Sequence, residues 1–258
     1  MMQAMIFAAG LGTRLKPLTD SIPKALVEVG GETLLQRTIE RLKACGVKSM
    51  VINVHHFAQA IVDYLQANNN FGVEIAVSDE SQLLLDTGGG LKKAAQLFSP
   101  TANILIHNVD IISNVDLQAF YTHQGQSDAL LLVSQRETKR YLLFNDDMRL
   151  VGWTNVETGE VRSPYPNLNP QTYKKLAFAG IHSFSPKLFE EMEKYPAKFG
   201  IIDFYLDQCA DNDIRGYEQE GLQLLDVGKL NTLERLPKST ADNPSVSDVG
   251  ILRHLYAQ

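Results

Sequence analysis

Residues 3–9, Gln-Ala-Met-Ile-Phe-Ala-Ala, are apolar at nearly every position and run without a spacer into Gly10-Leu11-Gly12-Thr13-Arg14. A strand with one face in water alternates apolar and polar residues. A strand apolar throughout is buried on both faces, which is the situation inside a parallel sheet covered by helices. This run therefore narrows the chain to an α/β fold before any other segment is read. The glycines let the following backbone adopt φ > 0 and approach a ligand closely. Successive N–H groups in such a turn form a concavity that attracts anions. Arg14, Lys16 and Lys24 add cations against one acid, Asp20. The stretch reads as a triphosphate cradle.

The segments that follow keep alternating. Strands are predicted over 49–54, 73–78, 103–107 and 129–134, and helices over 33–44, 58–67, 91–97 and 117–123. In the first of these helices Leu34, Leu35, Ile39 and Leu42 repeat at helical spacing. Such alternation specifies right-handed crossovers and a mostly parallel sheet with helices on both faces. Ligands of such sheets sit beyond the carboxyl ends of the strands, where Gly10, the glycines of 86–90 and Asp110 all fall. Residues 10–31, broken by Pro17 and Pro23, read as one long loop, and 86–90 as a second glycine loop. The second half reads as a hairpin over 141–145 and 149–155, a loop over 163–171 and a strand over 177–183. A helix capped by Ser185 runs from Pro186 to about Tyr195, and another covers 201–210. Strands over 214–219 and 223–226, a helix over 231–236, a polar linker over 238–248 and a terminal helix over 249–257 complete the chain. The expectation is one three-layer, Rossmann-like α/β domain with a mixed, mostly parallel sheet over 1–236, then a linker and short helical tail over 237–258.

A net charge of −6 over 258 residues argues against a nucleic-acid footprint, so the basic N-terminal cluster suits a small anion better than a polyanion. No window approaches the ~18 apolar residues of a membrane span, and the first residues enter a strand with no signal-peptide pattern. Cys45 and Cys209 have no metal-type spacing and read as buried free thiols of a reducing compartment. The expectation is a cytoplasmic protein with neither nucleic acid nor membrane as partner.

The first loop differs from its commonest look-alikes. It lacks the Gly-x-x-x-x-Gly-Lys-Ser/Thr order of a P-loop. It fails as a dinucleotide fingerprint because Leu15 stands where the third glycine belongs and Pro17 interrupts the helix that should open there. What remains, Gly10-Leu11-Gly12-Thr13-Arg14-Leu15-Lys16-Pro17-Leu18-Thr19 followed by Pro23-Lys24-Ala25-Leu26, resembles the signature of the sugar-1-phosphate nucleotidylyltransferases. Four further stretches are similar to that family in the same order: Asp86-Thr87-Gly88-Gly89-Gly90, Asn108-Val109-Asp110, Phe178-Ala179-Gly180-Ile181 and Leu225-Asp226-Val227-Gly228. The resemblance covers residues 3 to about 236.

The resemblance implies roles. Ala8, Ala9, Gly10, Gly12, Thr13 and Arg14 would bind the nucleotide, the backbone from Gly10 to Arg14 holding its triphosphate, with Thr87, Gly88 and Gly89 against base and ribose and Asn108 also on the nucleotide. Asp110 and Asp226 would bind one Mg²⁺. Asp110, Asn155 and Gly180 would line the sugar pocket. Arg14 would stabilise the leaving pyrophosphate, and Lys24 would face the phosphorus under attack. NTP and a sugar 1-phosphate would be the substrates, with monomer and homodimer both open. Two branches look nearest: uridylyltransferases acting on N-acetylmuramate 1-phosphate, which is the preferred reading, and guanylyltransferases acting on mannose or heptose 1-phosphate.

The residue types agree with that chemistry on their own terms. A phosphate monoester, with a second pKa of about 6, is already ionised at neutral pH. The attack therefore needs no general base, only positioning and compensation of charge. Mg²⁺ takes one or two carboxylates plus substrate phosphates. His55 and His56 have no further ligand at metal spacing and read as structural. Val109 replaces the family's usual glycine beside Asp110, and Lys229 its frequent threonine after Asp-Val-Gly. Two alternatives fit less well. A metal-dependent glycosyltransferase would show Asp-x-Asp where this chain has Asn108-Val109-Asp110. A nucleotide-sugar-sensing regulatory subunit would tend to lose Arg14, Lys24, Asp110 or Asp226, and all four are present.

Overall fold

The computed structural model describes residues 2–228. In chain order the elements are β1 (Met2–Phe7), β2 (Glu28–Val29), β3 (Glu32–Thr33), α1 (Leu34–Ala44), β4 (Val47–Val54), α2 (Ala58–Ala67), β5 (Glu74–Asp79) and α3 (Asp86–Ala94). There follow β6 (Ile104–Asn108), β7 (Ile111–Ser113), α4 (Leu117–His123), β8 (Ala129–Ser134), β9 (Arg140–Phe144), β10 (Leu150–Asn155), β11 (Val161–Arg162), β12 (Lys174–Phe184), α5 (Phe189–Met192), α6 (Ile201–Gln208), β13 (Ile214–Glu218) and β14 (Leu224–Asp226).

The apolar β1 lies where its composition requires. It pairs in parallel with β4 on one side and β6 on the other. Ala4, Ile6 and Ala8 face a core built with Leu35, Ile39, Ile61 and Phe120, from α1, α2 and α4. Met5 and Phe7 face a second core with Leu91, Met192 and Phe204, from α3, α5 and α6. Each of the larger side chains among them, taken fully out of water, contributes roughly 1.5–3 kcal/mol. Helices on both faces of one sheet give the expected three-layer, Rossmann-like α/β fold.

The ten-stranded sheet runs β11-β10-β9-β12-β6-β1-β4-β5, with β8 and β13 branching from β12. It is mixed. The parallel part is β5-β4-β1-β6 plus the β8–β13 pair, and the strands around β12 are antiparallel. β12 is the hub. Lys174–Leu176 pair with β9, while Ile181–Phe184 lie between β6 and β8. Ala177 and Phe178 also pair with β8, and that pairing is broken by an irregularity between Phe178 and His182, where Gly180 takes a φ of 76°. No helix among the described residues is long and apolar enough to cross a membrane.

The structure corrects several local expectations. Residues 10–31 are not one structureless loop. They form three 3₁₀ turns, Thr13–Leu15, Leu18–Asp20 and Lys24–Leu26, and then the β2–β3 hairpin. Residues 86–90 are not a loop but the first turns of α3. The expected helix from Pro186 to about Tyr195 is a 3₁₀ turn followed by the short α5, and the Ser185 side chain does not cap it. Pro186 and the short apolar run carry too little periodicity to separate one turn from three. Thr33 does cap α1, its hydroxyl accepting from Gln36 N at 3.0 Å, worth about 1 kcal/mol. The expected elements over 231–236, 238–248 and 249–257, the domain boundary at 236 and Lys229 lie outside the described residues.

Two histidines sit in adjacent strands, each 1% exposed: His107 in β6 and His182 in β12. The Nδ1 of His182 lies 2.6 Å from the Tyr205 hydroxyl, and that of His107 lies 2.8 Å from the Asn108 carbonyl. Burial lowers both pKa values to about 3, with Arg41 adding to the effect at His107. The folded chain therefore keeps both imidazoles neutral, while the unfolded chain protonates them below about pH 6.5. Between those values the unfolded state binds more protons, so stability is greatest above pH 6.5 and falls as pH drops toward 3. The expected slope is up to about 1.4 kcal/mol per pH unit for each histidine. Urea midpoints measured from pH 7.5 down to 5 should decline; a flat profile would contradict buried neutral imidazoles at these positions.

Candidate active site

Phe7 and Asn108 are register partners at the ends of β1 and β6. The chain therefore leaves the sheet at Ala8 and Val109 side by side, and Val109 N donates to Phe7 O at 3.3 Å. After β1 the backbone must turn sharply, and Gly12 makes this possible with a φ of 64°. A Cβ there would sit 2.7 Å from Thr19 Cγ2 and 3.1 Å from Lys24 Cβ, so glycine is needed for space as well as for conformation. The Gly12 carbonyl accepts from Leu15 N and from the Thr19 hydroxyl, each at 2.8 Å. These bonds wind residues 12–26 into a compact knot that presents Arg14 and Lys24 on one side. Gly10 has open space around it.

Asp226 arrives by a different route. β14 pairs antiparallel with β7, Asp226 standing opposite Ile111, and Val227 N donates to Asp110 O at 3.0 Å. This small ladder, which the sequence reading did not predict, draws the two aspartates to one place. Arg14 spans them: Nη2 is 3.9 Å from Asp110 Oδ2 and Nη1 is 3.7 Å from Asp226 Oδ2. The Lys24 ammonium pairs with Asp110 Oδ2. The Asp110 and Lys24 side chains are only 10% and 13% exposed, against 56% for Arg14. Removing one partner from a pair so shielded costs about 3–5 kcal/mol, because the other charge is left uncompensated.

The donor set suits a small hard cation. Asp110 and Asp226 supply carboxylate oxygens only, as Mg²⁺ prefers, and two carboxylates leave its remaining positions for phosphates and water. No group of three or more His, Cys, Asp or Glu with metal geometry occurs among the described residues. Gly228 keeps the space open. It donates to Asp226 Oδ1 at 3.0 Å, and a Cβ there would fall against Asp110 Oδ2, 3.0 Å from Asp226 Oδ1 and 3.0 Å from Arg14 Nη2. Gly228 is absent from the candidate residues chosen from sequence, although it ends the Leu225-Asp226-Val227-Gly228 motif that pointed to Asp226.

The remaining candidates divide. Gly180, at the bulge of β12, adjoins the site: a Cβ would sit 2.8 Å from Ile111 Cγ1 and 2.9 Å from Asn108 Nδ2. Asn155 does not join the cluster through any contact among the described residues. It organises the β10–β11 turn, its Oδ1 accepting from Glu157 N at 3.0 Å. Thr87, Gly88 and Gly89 belong to α3 and are already engaged. Gly88 and Gly89 N donate to Phe199 O, and the Thr87 hydroxyl accepts from Ile201 N at 3.0 Å. Gly88 faces the Phe199 ring, Gly89 the Ala197 carbonyl and Gly90 the Glu80 carboxylate. The triple glycine is thus a close-packing device, and within 86–90 it is Asp86 that is exposed. His55 points its Nδ1 at Glu80 O, 2.6 Å away. Gly228→Ala is expected to lower turnover at least about tenfold in a chain that remains folded; an unchanged rate would remove Gly228 from the site.

Comparison with known proteins bears on the family and the fold. The nucleotidyl transferase family model matches residues 3–242. N-acetylmuramate alpha-1-phosphate uridylyltransferase of Caulobacter vibrioides is 32% identical over 231 residues, covering 85% of this chain and 89% of that protein. A mannose-1-phosphate guanyltransferase of Gibberella zeae is 27% identical over 88% of this chain but only 61% of its own length. Among solved structures, HddC from Yersinia pseudotuberculosis complexed with GMP-PN superposes with a TM-score of 0.71 at 22% identity, over 92% of this chain and 98% of that one, and shares the fold. Because that family model spans residues 3–242, nearly the whole chain, the chain belongs to the nucleotidyl transferase family.

Proposed function

We propose that the chain transfers a nucleotidyl group from an NTP to a sugar 1-phosphate, releasing pyrophosphate, with UTP and N-acetylmuramate 1-phosphate as the substrate pair. The observation that carries this reading is the convergence of Arg14 and Lys24 on Asp110, with Asp226 alongside. Two phosphorylated substrates bring several negative charges together, and this cluster offers two cations and a two-carboxylate seat for a divalent ion. The Caulobacter relative supports the uridylyl reading by its identity and coverage. The alternative is guanylyl transfer to mannose or heptose 1-phosphate, of which the Gibberella relative supports the mannose form.

In this reading the backbone from Ala8 to Thr13 and the Arg14 guanidinium hold the β- and γ-phosphates. A planar guanidinium matches phosphate oxygens in pairs, and its charge offsets that of the departing pyrophosphate. Lys24 lies beside the α-phosphate, where it neutralises charge as the sugar phosphate oxygen attacks in line. Asp110 and Asp226 hold Mg²⁺, which when bound supplies charge neutralisation at the phosphates. The amino end of α3, with Thr87, Gly88 and Gly89, buttresses the base and ribose through packing, since the amides of both glycines are already bonded. Asn108 borders the ribose and Gly180 belongs to the sugar side, leaving room beside Asn108, with Asn155 reaching the sugar only from the β10–β11 turn that it organises. No side chain needs to remove a proton. A cytoplasmic setting fits both substrates and the two free thiols.

Pyrophosphate release measured over the common NTPs and a panel of sugar 1-phosphates with Mg²⁺ tests the assignment. The UTP and N-acetylmuramate 1-phosphate pair should give the highest kcat/KM, and no turnover with any pair would refute it. Asp110→Ala should abolish Mg²⁺-dependent turnover in a chain that remains folded. Arg14→Ala should lower kcat by roughly 10³-fold or more; a drop below tenfold would take Arg14 off the phosphates.

A further inference from the structure

Four segments meet at a buried polar chain behind the first loop. Ala8 N donates to Asn53 Oδ1 at 2.8 Å, Asn53 Nδ2 donates to Glu80 Oε1 at 2.7 Å, and Leu85 N donates to Glu80 Oε2 at 3.1 Å. Glu80 is 1% exposed and Asn53 3%. The Glu80 backbone is fixed too, its N–H donating to Val54 O at 2.7 Å and its carbonyl accepting from Leu83 N at 3.0 Å. Gly90 makes room for the pair, since a Cβ there would sit 2.6 Å from Glu80 Oε1 and 3.0 Å from Asn53 Nδ2. A carboxylate is held out of water here although it lies outside the Asp110 cluster. Burying such a group is costly unless its oxygens are bonded.

We propose that Glu80 and Asn53 form an internal strut that fixes Ala8, where the first loop leaves β1, to Leu85, where α3 begins, so that the two segments assigned to the nucleotide keep one separation. Glu80 and Asn53 are positioning residues; neither is assigned a contact with substrate. The strut has a fixed polarity. Both ends are backbone donors, so the side chains between them must present an acceptor to each and one donor to each other. Glu80→Gln breaks this, because its amide nitrogen must face either Leu85 N or Asn53 Nδ2, and flipping Asn53 moves the clash to Ala8 N. Asn53→Asp breaks it by setting carboxylate against carboxylate wherever the two do not share a proton, so this variant is read at alkaline pH. Exchanging the two groups repairs it. In Asn53→Asp/Glu80→Gln the carboxylate at 53 accepts from Ala8 and from the amide at 80, whose oxygen accepts from Leu85.

The inference rests on the nucleotide reading given above, and the experiment separates the two. UTP and GTP binding and the steady-state constants are measured for the unmodified chain, both single variants and the exchange. The unmodified chain binding neither nucleotide refutes that underlying reading. If it binds, each single variant should weaken nucleotide affinity about tenfold, leave the KM for the sugar 1-phosphate within about twofold, and be rescued by the exchange. Unchanged nucleotide affinity in the singles, equal losses for both substrates, or an exchange no better than the singles would overturn the strut. Should the variants not fold, hydrogen exchange on the unmodified chain with tripolyphosphate decides. That probe has no base, so slowed exchange at 84–90 as well as at 8–14 supports the strut, and protection confined to 8–14 overturns it.

Discussion

The arrangement depends on holding two like charges close together. Asp110 and Asp226 would repel each other, more strongly as water is excluded. The fold answers by placing Arg14 across both and Lys24 on the more deeply buried of the two. Each side of this balance needs the other. Without the cations the two carboxylates would face each other uncompensated, and without the carboxylates a buried lysine would lose its partner. Gly228 completes the balance by being small, since a methyl group at that position would fall among the charges.

Three pieces of backbone deliver those charges. The parallel register of β1 and β6 releases the chain at Ala8 and Val109 side by side. The turns after Gly12 bring Arg14 and Lys24 back over the strand ends. The β7–β14 ladder then returns Asp226 to the mouth of a sheet in which it is not a strand. The site thus sits beyond the carboxyl ends of the parallel strands, where the N–H groups and loops of an α/β fold converge. The antiparallel strands around β12 extend that mouth on the side of Gly180.

Much of this was legible in the sequence because much of it is local. The all-apolar β1, the alternating helices and strands and the need for glycine at position 12 follow from periodicity and turn chemistry over a few residues. The motif order that resembled a nucleotidylyltransferase was upheld by a family match across residues 3–242. The errors had physical causes as well. Residues 86–90 looked like a loop because glycine is a poor helix former. Tertiary contacts overrode that preference: Phe199, the Ala197 carbonyl and Glu80 press so closely on α3 that no side chain fits. Residues 111–113 were passed over because a strand so short has no pattern of its own until its partner is present.

By itself, then, the sequence determined the fold class and one half of the candidate site, the glycine–arginine turn with Lys24, since each depends on neighbours along the chain. Only the tertiary structure decided that Asp226 and Asp110 share one arginine, that Gly228 lies between them, and that Glu80 is buried against Asn53. These are contacts between segments far apart in sequence. Their geometry is set by strand register and by packing of helices against the sheet, and no local pattern encodes either.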